Sequence, residues 1–247
     1  DVRVFMPKYG KIDSSIFPME LEKEQVSIPF EDFSKIVTCN VLKHKPENGP
    51  VTYFLENEEY YELRANEYGY VDDNIRWGLL QKGMWEFLTH SDWTPDIIHC
   101  HDWQTGLVPN YFIGSYKSNK KLKNIKTIFT MHNLRYQAAY DHMFVTEMDY
   151  DSGKSAIPPI LSDDFAKLNS VRRGIIYADR LTTVSPTYSK EILSKEFGES
   201  LERLLNEMRF KLQGILNGID YVSFNPETDE NINTNYKIKE WDKRLEN

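Results

Sequence analysis

Two histidines and an aspartate fall within four residues, at a point where an apolar strand gives way to a polar loop. They are His99, His101 and Asp102, in the stretch PDIIHCHDWQTGLVP. Imidazole and carboxylate groups at this spacing can bind a metal ion, move protons or hydrogen-bond a polar ligand. A metal would need further ligands, with His132 or Asp102 converging on the pair. We expect the side chain of His99 to alternate with that of His101 and to pack against a helix, which weakens the metal interpretation.

Short apolar strands alternate with helices along the chain, a pattern typical of a parallel sheet with helices on both faces. The pair Asn48-Gly49 lies between two β-branched runs and predicts a β-hairpin insertion. The fold class expected is therefore α/β and Rossmann-like. Strands are predicted at residues 2–6, 36–42, 51–55, 97–98, 126–131, 181–184 and 213–216.

Helix signals follow several of these strands. Apolar residues at three-to-four spacing predict a helix from Asp72 or Asp73 to about Leu88. A second helix is predicted from about Gln104. Ser185 is expected to cap a third, with Pro186 at its first position.

Polar clusters follow four successive predicted strands. In an open α/β sheet, ligands bind beyond the carboxyl ends of the strands, so we expect these clusters to line one cleft. The serine cluster also fits a simple helix cap, and Asn217-Gly218 also fits a simple turn. The clusters are His101-Asp102-Trp103, His132-Asn133, Ser185-Pro186-Thr187 and Asn217-Gly218-Ile219-Asp220.

Composition excludes several classes of protein. The net charge of −8 over 247 residues argues against a nucleic-acid partner, which requires a basic face. No apolar run approaches the roughly 20 residues that span a bilayer, so no membrane association is expected. Cys39 and Cys100 lack the spacing of a disulfide framework, which favours a cytoplasmic location. No Walker, G-x-G-x-x-G or G-x-S-x-G motif is present.

Six stretches, in order along nearly the whole chain, resemble motifs of the bacterial glycogen synthases and plant starch synthases. They are DVRVFMPKYG, YGYVDDNIRWGLL, HCHDWQTGLVP, TMHNLRYQ, YADRLTTVSPTYSKEI and GILNGIDYVSFNPETD. Members of that family are retaining glucosyltransferases with two Rossmann-like domains, the GT-B arrangement. The resemblance implies that residues 1–226 are the N-terminal domain and that the polar stretch 227–247 is an interdomain linker.

The same resemblance implies an activity. Such enzymes transfer glucose from ADP-glucose or UDP-glucose to the non-reducing end of an α-1,4-glucan, with no metal or other cofactor. The implied partners are the glucan acceptor, the nucleotide-glucose donor and a C-terminal domain that binds the nucleotide. Carried over by motif, the catalytic residues are His132 and Asp102. The implied substrate-binding residues are Tyr70, Trp103, Asn133, Tyr136, Gln137 and Asn217.

The sequence departs from the family pattern in several places. The resemblance implies an opening strand with a Lys-x-Gly-Gly-Leu loop and a second domain, and we expect this chain to lack both. Ala138 stands where glycine is usual, and KLNSVRRGIIYAD also differs from the common sequence. We therefore expect the chain alone to be inactive. A non-catalytic glucan-binding module and a metal-dependent hydrolase built on His99, His101 and Asp102 are the alternatives.

Overall fold

The structure, a computed structural model, describes residues 1–31, 35–146 and 150–246. Within these ranges, eight strands form two four-stranded sheets. The first sheet has the spatial order β1-β4-β3-β2, and the second runs in chain order from β5 to β8. The strands are β1 (Arg3–Pro7), β2 (Glu20–Glu31), β3 (Lys35–His44), β4 (Val51–Glu56), β5 (Ile97–His101), β6 (Lys126–Met131), β7 (Arg180–Thr183) and β8 (Leu212–Gly214).

The first sheet is mixed. β1 and β4 are parallel, whereas β3 pairs antiparallel with both β4 and β2. The hairpin predicted at Asn48-Gly49 is confirmed, and Gly49 adopts a φ of 127° that favours glycine. β2 was not predicted, although Val26, Ile28 and Phe30 alternate with exposed or half-exposed residues and are themselves buried.

The second sheet is wholly parallel and is covered by short helices. Gly174, in α4, lies so close to Phe129 of β6 that an added Cβ would stand 2.7 Å from the ring. This parallel sheet with its helices confirms the predicted α/β class. The α-helices are α1 (Asp73–His90), α2 (Val108–Tyr111), α3 (Asp163–Ala166), α4 (Ser170–Tyr177), α5 (Tyr188–Glu191) and α6 (Glu202–Glu207).

The helix after β5 is not the continuous one predicted from Gln104. The chain forms a 3-10 turn at Trp103–Thr105, then α2, then a π-helical turn at Phe112–Tyr116. Gly106 and Pro109 account for the interruption, because glycine weakens a helix and proline lacks the backbone donor. α1 was predicted correctly, apart from two extra residues at its end.

α1 joins the two sheets into one core. Phe87 packs against Tyr53 of the first sheet with ring centroids 4.9 Å apart. Trp85, fully buried, stacks on Phe112 at 5.2 Å and donates its indole N–H to the carbonyl of Val108 at 3.1 Å. Burying each such aromatic side chain stabilises the fold by about 2–3 kcal/mol. The loops beyond β5 are thereby fixed relative to the first sheet.

A groove separates the two sheets. Within the described residues, β1 and β5 each pair with a strand on one side only, and their other edges face a space of about 650 Å³. Met84 and Phe87 of α1 are among the residues that line it. The sequence predicted a parallel sheet with a β-hairpin insertion. Within the described residues the strands form two sheets, because β1 and β5 do not pair.

Beyond β8 the chain forms turns and a 3-10 segment, Ile238–Glu246, with mostly exposed side chains. Asn247, the last residue of the predicted linker, lies outside the described residues. Among the helices of the described residues, none combines the length and apolar character needed to cross a membrane.

Candidate functional site

The tips of β5 and β6 are tied together by two hydrogen bonds. The backbone N–H of Asp102 donates to the carbonyl of Thr130 at 2.9 Å. One carboxylate oxygen of Asp102 accepts the backbone N–H of His132 at 2.8 Å. Asp102 follows β5 and His132 follows β6, so parallel pairing brings both to the same sheet edge. The structure thus brings together the two residues for which a catalytic role was implied.

Asp102 holds a strained backbone conformation. Its φ of 55° and ψ of −170° fall at the edge of a region that only glycine adopts freely, at a cost of about 1–3 kcal/mol. Residues held in such conformations cluster at active and ligand-binding sites. The strain directs the carboxylate to the start of the loop after β6. This observation is independent of any motif and makes Asp102 a candidate functional residue.

Three histidine rings form a row beside this corner. The centroids of His99 and His101 are 4.2 Å apart, and those of His101 and His132 are 5.4 Å apart. The expectation that His99 and His101 alternate was wrong: residues i and i+2 of a strand point to the same face. Nδ1 of His101 lies 3.1 Å from Nε2 of His132.

Two rings of the row, those of His99 and His101, are uncharged at pH 7. Burial, followed by the neighbouring His99 and His132, lowers the pKa of His101 from 6.5 to about 4. Burial, followed by His132, also lowers the pKa of His99. Neutral imidazoles suit hydrogen bonding to uncharged hydroxyl groups, since each ring offers one donor and one acceptor.

The row is not arranged as a metal site. Its neighbouring rings are tilted against each other by 32° and 31°, and two of them meet through a nitrogen–nitrogen contact of 3.1 Å. Within residues 1–31, 35–146 and 150–246, no three His, Cys, Asp or Glu side chains are grouped to hold a metal ion. The geometry therefore does not favour the metal-dependent hydrolase.

Trp103 and Tyr70 belong to one aromatic assembly behind the corner. Trp103 is buried and meets Trp77 edge-on, with ring centroids 6.1 Å apart. The guanidinium of Arg76 lies 5.6 Å from the Trp77 ring and 4.9 Å from the Tyr70 ring. The Trp103 carbonyl accepts the hydroxyl of Ser170 at 2.5 Å. Trp103, predicted to bind substrate, is therefore held in the core beneath the site.

The loop after β6 contains both exposed and buried residues. Asn133 is exposed, and its side-chain oxygen accepts the backbone N–H of Arg135 at 3.0 Å. Tyr136 is 63% exposed and available to a ligand. Gln137 is buried, and its amide bonds to the Asn169 side chain at 2.7 Å and to the carbonyl of Glu199 at 2.7 Å. The resemblance implied that Gln137 binds substrate. In the structure its side chain instead forms hydrogen bonds that stabilise the loop.

The tips of β7 and β8 lie side by side. The hydroxyl of Ser185 accepts the backbone N–H of Tyr188 at 2.9 Å, as a capping serine does. The helix itself begins at Tyr188 after Thr187, so Pro186 does not take its first position as predicted. Gly214 lies so close to Ser185 that a Cβ would stand 2.1 Å from its carbonyl oxygen. Asn217, three residues beyond β8, is exposed, and the hydrogen bonds that join Asp102 to His132 do not extend to it.

One residue near the site, Tyr188, was missed from the sequence. His101 was placed in the cleft by its cluster, but the face that it shares with His99 was not recognised. Tyr188 begins α5, and burial raises the pKa of its hydroxyl while a hydrogen bond with the Leu134 backbone lowers it. The charge of Asp102 also acts on this hydroxyl. No local sequence signal reports that proximity.

The fold and site together define a ligand-binding α/β domain, with polar side chains gathered at the carboxyl edge of a parallel sheet. A family model described as the starch synthase catalytic domain matches residues 1–207. The chain belongs to this family.

Individual relatives agree with that assignment. The glycogen synthase of Desulforamulus reducens is 34% identical over 244 residues, which cover 99% of this chain and 50% of that protein. The glycogen synthase of Clostridium perfringens is 36% identical over 242 residues, 97% of this chain and 48% of that protein. The chain therefore spans about half the length of the curated relatives it matches.

A solved structure is similar over almost the whole chain. It is the catalytic domain of starch synthase IV from Arabidopsis thaliana, bound to ADP and acarbose. The match has a TM-score of 0.76 and 29% sequence identity, and covers 96% of this chain and 48% of that one.

Proposed function

We propose that this chain is the N-terminal half of a retaining glucosyltransferase that elongates an α-1,4-glucan at its non-reducing end. The donor is ADP-glucose or UDP-glucose. The observation that carries the proposal is the strained Asp102 carboxylate bonded to the backbone of His132, at the sheet edge where α/β domains bind ligands. The relatives named glycogen synthase, and the starch synthase IV bound to ADP and acarbose, support the substrate class.

In this proposal the corner between β5 and β6 holds the donor glucose and the reacting centre. The His132 imidazole bonds a sugar hydroxyl, and Asp102 fixes the loop that presents it. Asn133 and Tyr136 are exposed beside it and offer an amide and an aromatic face to sugar rings. Asn217 extends the same edge. Polar groups of this kind can hydrogen-bond to sugar hydroxyls. Stabilising the negative charge of the departing phosphate requires cationic groups instead.

Those cationic groups, and the nucleotide site, are assigned to a further C-terminal domain. Support comes from the coverage of about half of the relatives. An apolar surface follows β8, where another domain would shield it from water. We propose that the surface meets that domain, and that transfer requires no resident metal or cofactor. Its exposed members are Leu216, Ile219, Tyr221, Val222 and Phe224.

We further infer that the groove between β1 and β5 accepts one extended strand, which merges the two sheets. Both strands are five residues long, about 17 Å, and within the described residues each has one edge that pairs with no other strand. Val4 and Ile97, on these two strands, are apolar side chains that are exposed in this chain. Amide hydrogen exchange tests this: the edge amides of β1 and β5 exchange rapidly in this chain and are protected in the complete protein. Equal exchange in both would contradict it.

Transfer of radiolabelled glucose from ADP-glucose and from UDP-glucose to glycogen tests the activity. The complete protein incorporates label and this chain alone does not. His132→Ala and Asp102→Ala each lower turnover at least tenfold, about 1.4 kcal/mol of barrier. His90→Ala, an exposed site at the end of α1, is the matched control and retains full turnover. Near-wild-type rates in both site variants would refute the assignment of the cleft.

The same preparation tests the non-catalytic alternative. A glucan-binding module would be retained on immobilised amylose, yet the complete protein would transfer no label. Sustained incorporation excludes that alternative.

A further inference from the structure

His101 stands between the end of β5 and the imidazole of His132. Its backbone is clamped by Thr105, whose hydroxyl accepts the His101 N–H at 2.6 Å and donates to the His101 carbonyl at 2.8 Å. Its ring lies against His99 on one side and His132 on the other, with interplanar angles of 32° and 31°. The ring is therefore held in position from both faces and from its own backbone.

The far end of the row is anchored in the sheet. Nε2 of His99 lies 2.6 Å from the hydroxyl of Thr130 on β6. That hydroxyl in turn lies 2.5 Å from the hydroxyl of Thr182 on β7. Side chains of three adjacent strands, His99, Thr130 and Thr182, thus hold the end of the row against which the His101 ring packs. Strand-borne side chains hold a geometry more accurately than loop residues do.

The contact with His132 constrains which nitrogen carries a proton. Both rings meet through Nδ1 of His101 and Nε2 of His132, 3.1 Å apart. The lowered pKa of His101, about 4, keeps that ring neutral at pH 7. A hydrogen bond between the two rings requires one of these nitrogens to donate and the other to accept. The contact engages Nε2 of His132, and Nδ1 of His132 makes no hydrogen bond to a described residue.

We propose that His101 is a positioning residue that fixes the ring plane and tautomer of His132, so that His132 presents Nδ1 to the sugar. This inference rests on the proposed function for the identity of the ligand, but not for the geometry. His101 itself does not touch the reacting atoms. Its contribution is to prevent His132 from rotating or exchanging tautomers when the loop after β6 is free of ligand.

Long-range 1H–15N correlation spectra of the protein labelled with 15N-histidine test the positioning directly. Wild-type protein at pH 7 shows His132 predominantly as one tautomer. In His101→Phe the stacking ring is kept and its nitrogens are lost, and the tautomer ratio of His132 shifts about fivefold. In His101→Asn a donor and an acceptor return, and the ratio recovers. An unchanged ratio in His101→Phe overturns the proposal.

Kinetics of the complete protein test the consequence for transfer. His101→Phe lowers kcat about fivefold with little change in KM for glucan, and His101→Asn recovers most of it. An unchanged kcat in His101→Phe overturns the proposal, as does an equal loss in both variants. If the complete protein transfers no glucose, the proposed function fails, while the spectra still decide whether His101 positions His132. Thermal melts of both variants check that they remain folded.

Discussion

Replacing Asp102 with alanine and with glycine separates its backbone strain from its carboxylate. Both variants lose the charge-assisted hydrogen bond to the His132 N–H, 2.8 Å long and worth about 1.5–3 kcal/mol. Alanine keeps the strain, because its Cβ also disfavours a φ of 55°. Glycine removes about 1–3 kcal/mol of strain and costs about 0.5–1 kcal/mol of chain entropy. Asp102→Gly is therefore more stable than Asp102→Ala by up to about 2.5 kcal/mol.

The two variants differ in stability but are expected to lose turnover alike. Both variants lack the carboxylate, so both lose at least tenfold in kcat in the complete protein. Urea unfolding of the two variants measures the stability difference, and glucose transfer measures kcat. A glycine variant less stable than the alanine variant would refute the account of strain. A glycine variant with wild-type kcat would show that the strained residue serves only the fold.

Three further predictions concern Arg173, Gly106 and His101, which lie around the site. Arg173→Met lowers the free energy of unfolding by about 3–5 kcal/mol, because it leaves the buried carboxylate of Asp151 without its bidentate partner. Arg203→Met, at an exposed site, changes the free energy of unfolding by about 0.5 kcal/mol or less. Similar losses in both variants would contradict this prediction. Gly106→Ala costs about 1–3 kcal/mol because its Cβ would stand 2.2 Å from a backbone oxygen. Gly114→Ala, in a helical turn with open space around it, stabilises the fold by up to about 1 kcal/mol. Equal unfolding midpoints would be inconsistent with that packing. With the pKa of His101 lowered to about 4, the unfolded chain binds a proton near pH 6.5 and the folded chain does not, so stability falls as pH drops from about 6.5 towards 4. His101→Phe removes part of this slope, and parallel slopes in both proteins would argue against a lowered pKa.

The parallel sheet was predictable because its strands carry strong local signals. The run Lys126–Met131 was predicted to the residue, and β7 to within one residue at each end. β2 was missed for a local reason: charged residues occupy its first half, and Gln25, at a φ of 51°, interrupts its regular alternation. The apolar alternation survives only at Val26, Ile28 and Phe30.

The site was predictable in part. Asp102 and His132 follow neighbouring parallel strands, so geometry alone brings them to one edge. The burial of Trp103 and Gln137 depends on contacts with α4 and the residue before it, distant in sequence, and no local pattern reports it. The separation of β1 from β5 is likewise a property of pairing between remote segments.

A structure of the complete protein with ADP and a maltooligosaccharide tests the central claim most directly. We predict a glucose ring in the corner between β5 and β6, with a hydroxyl within hydrogen-bonding distance of Nδ1 of His132 and the Asp102 carboxylate still on the His132 N–H. Sugar bound elsewhere, with this corner free of it, would contradict the account.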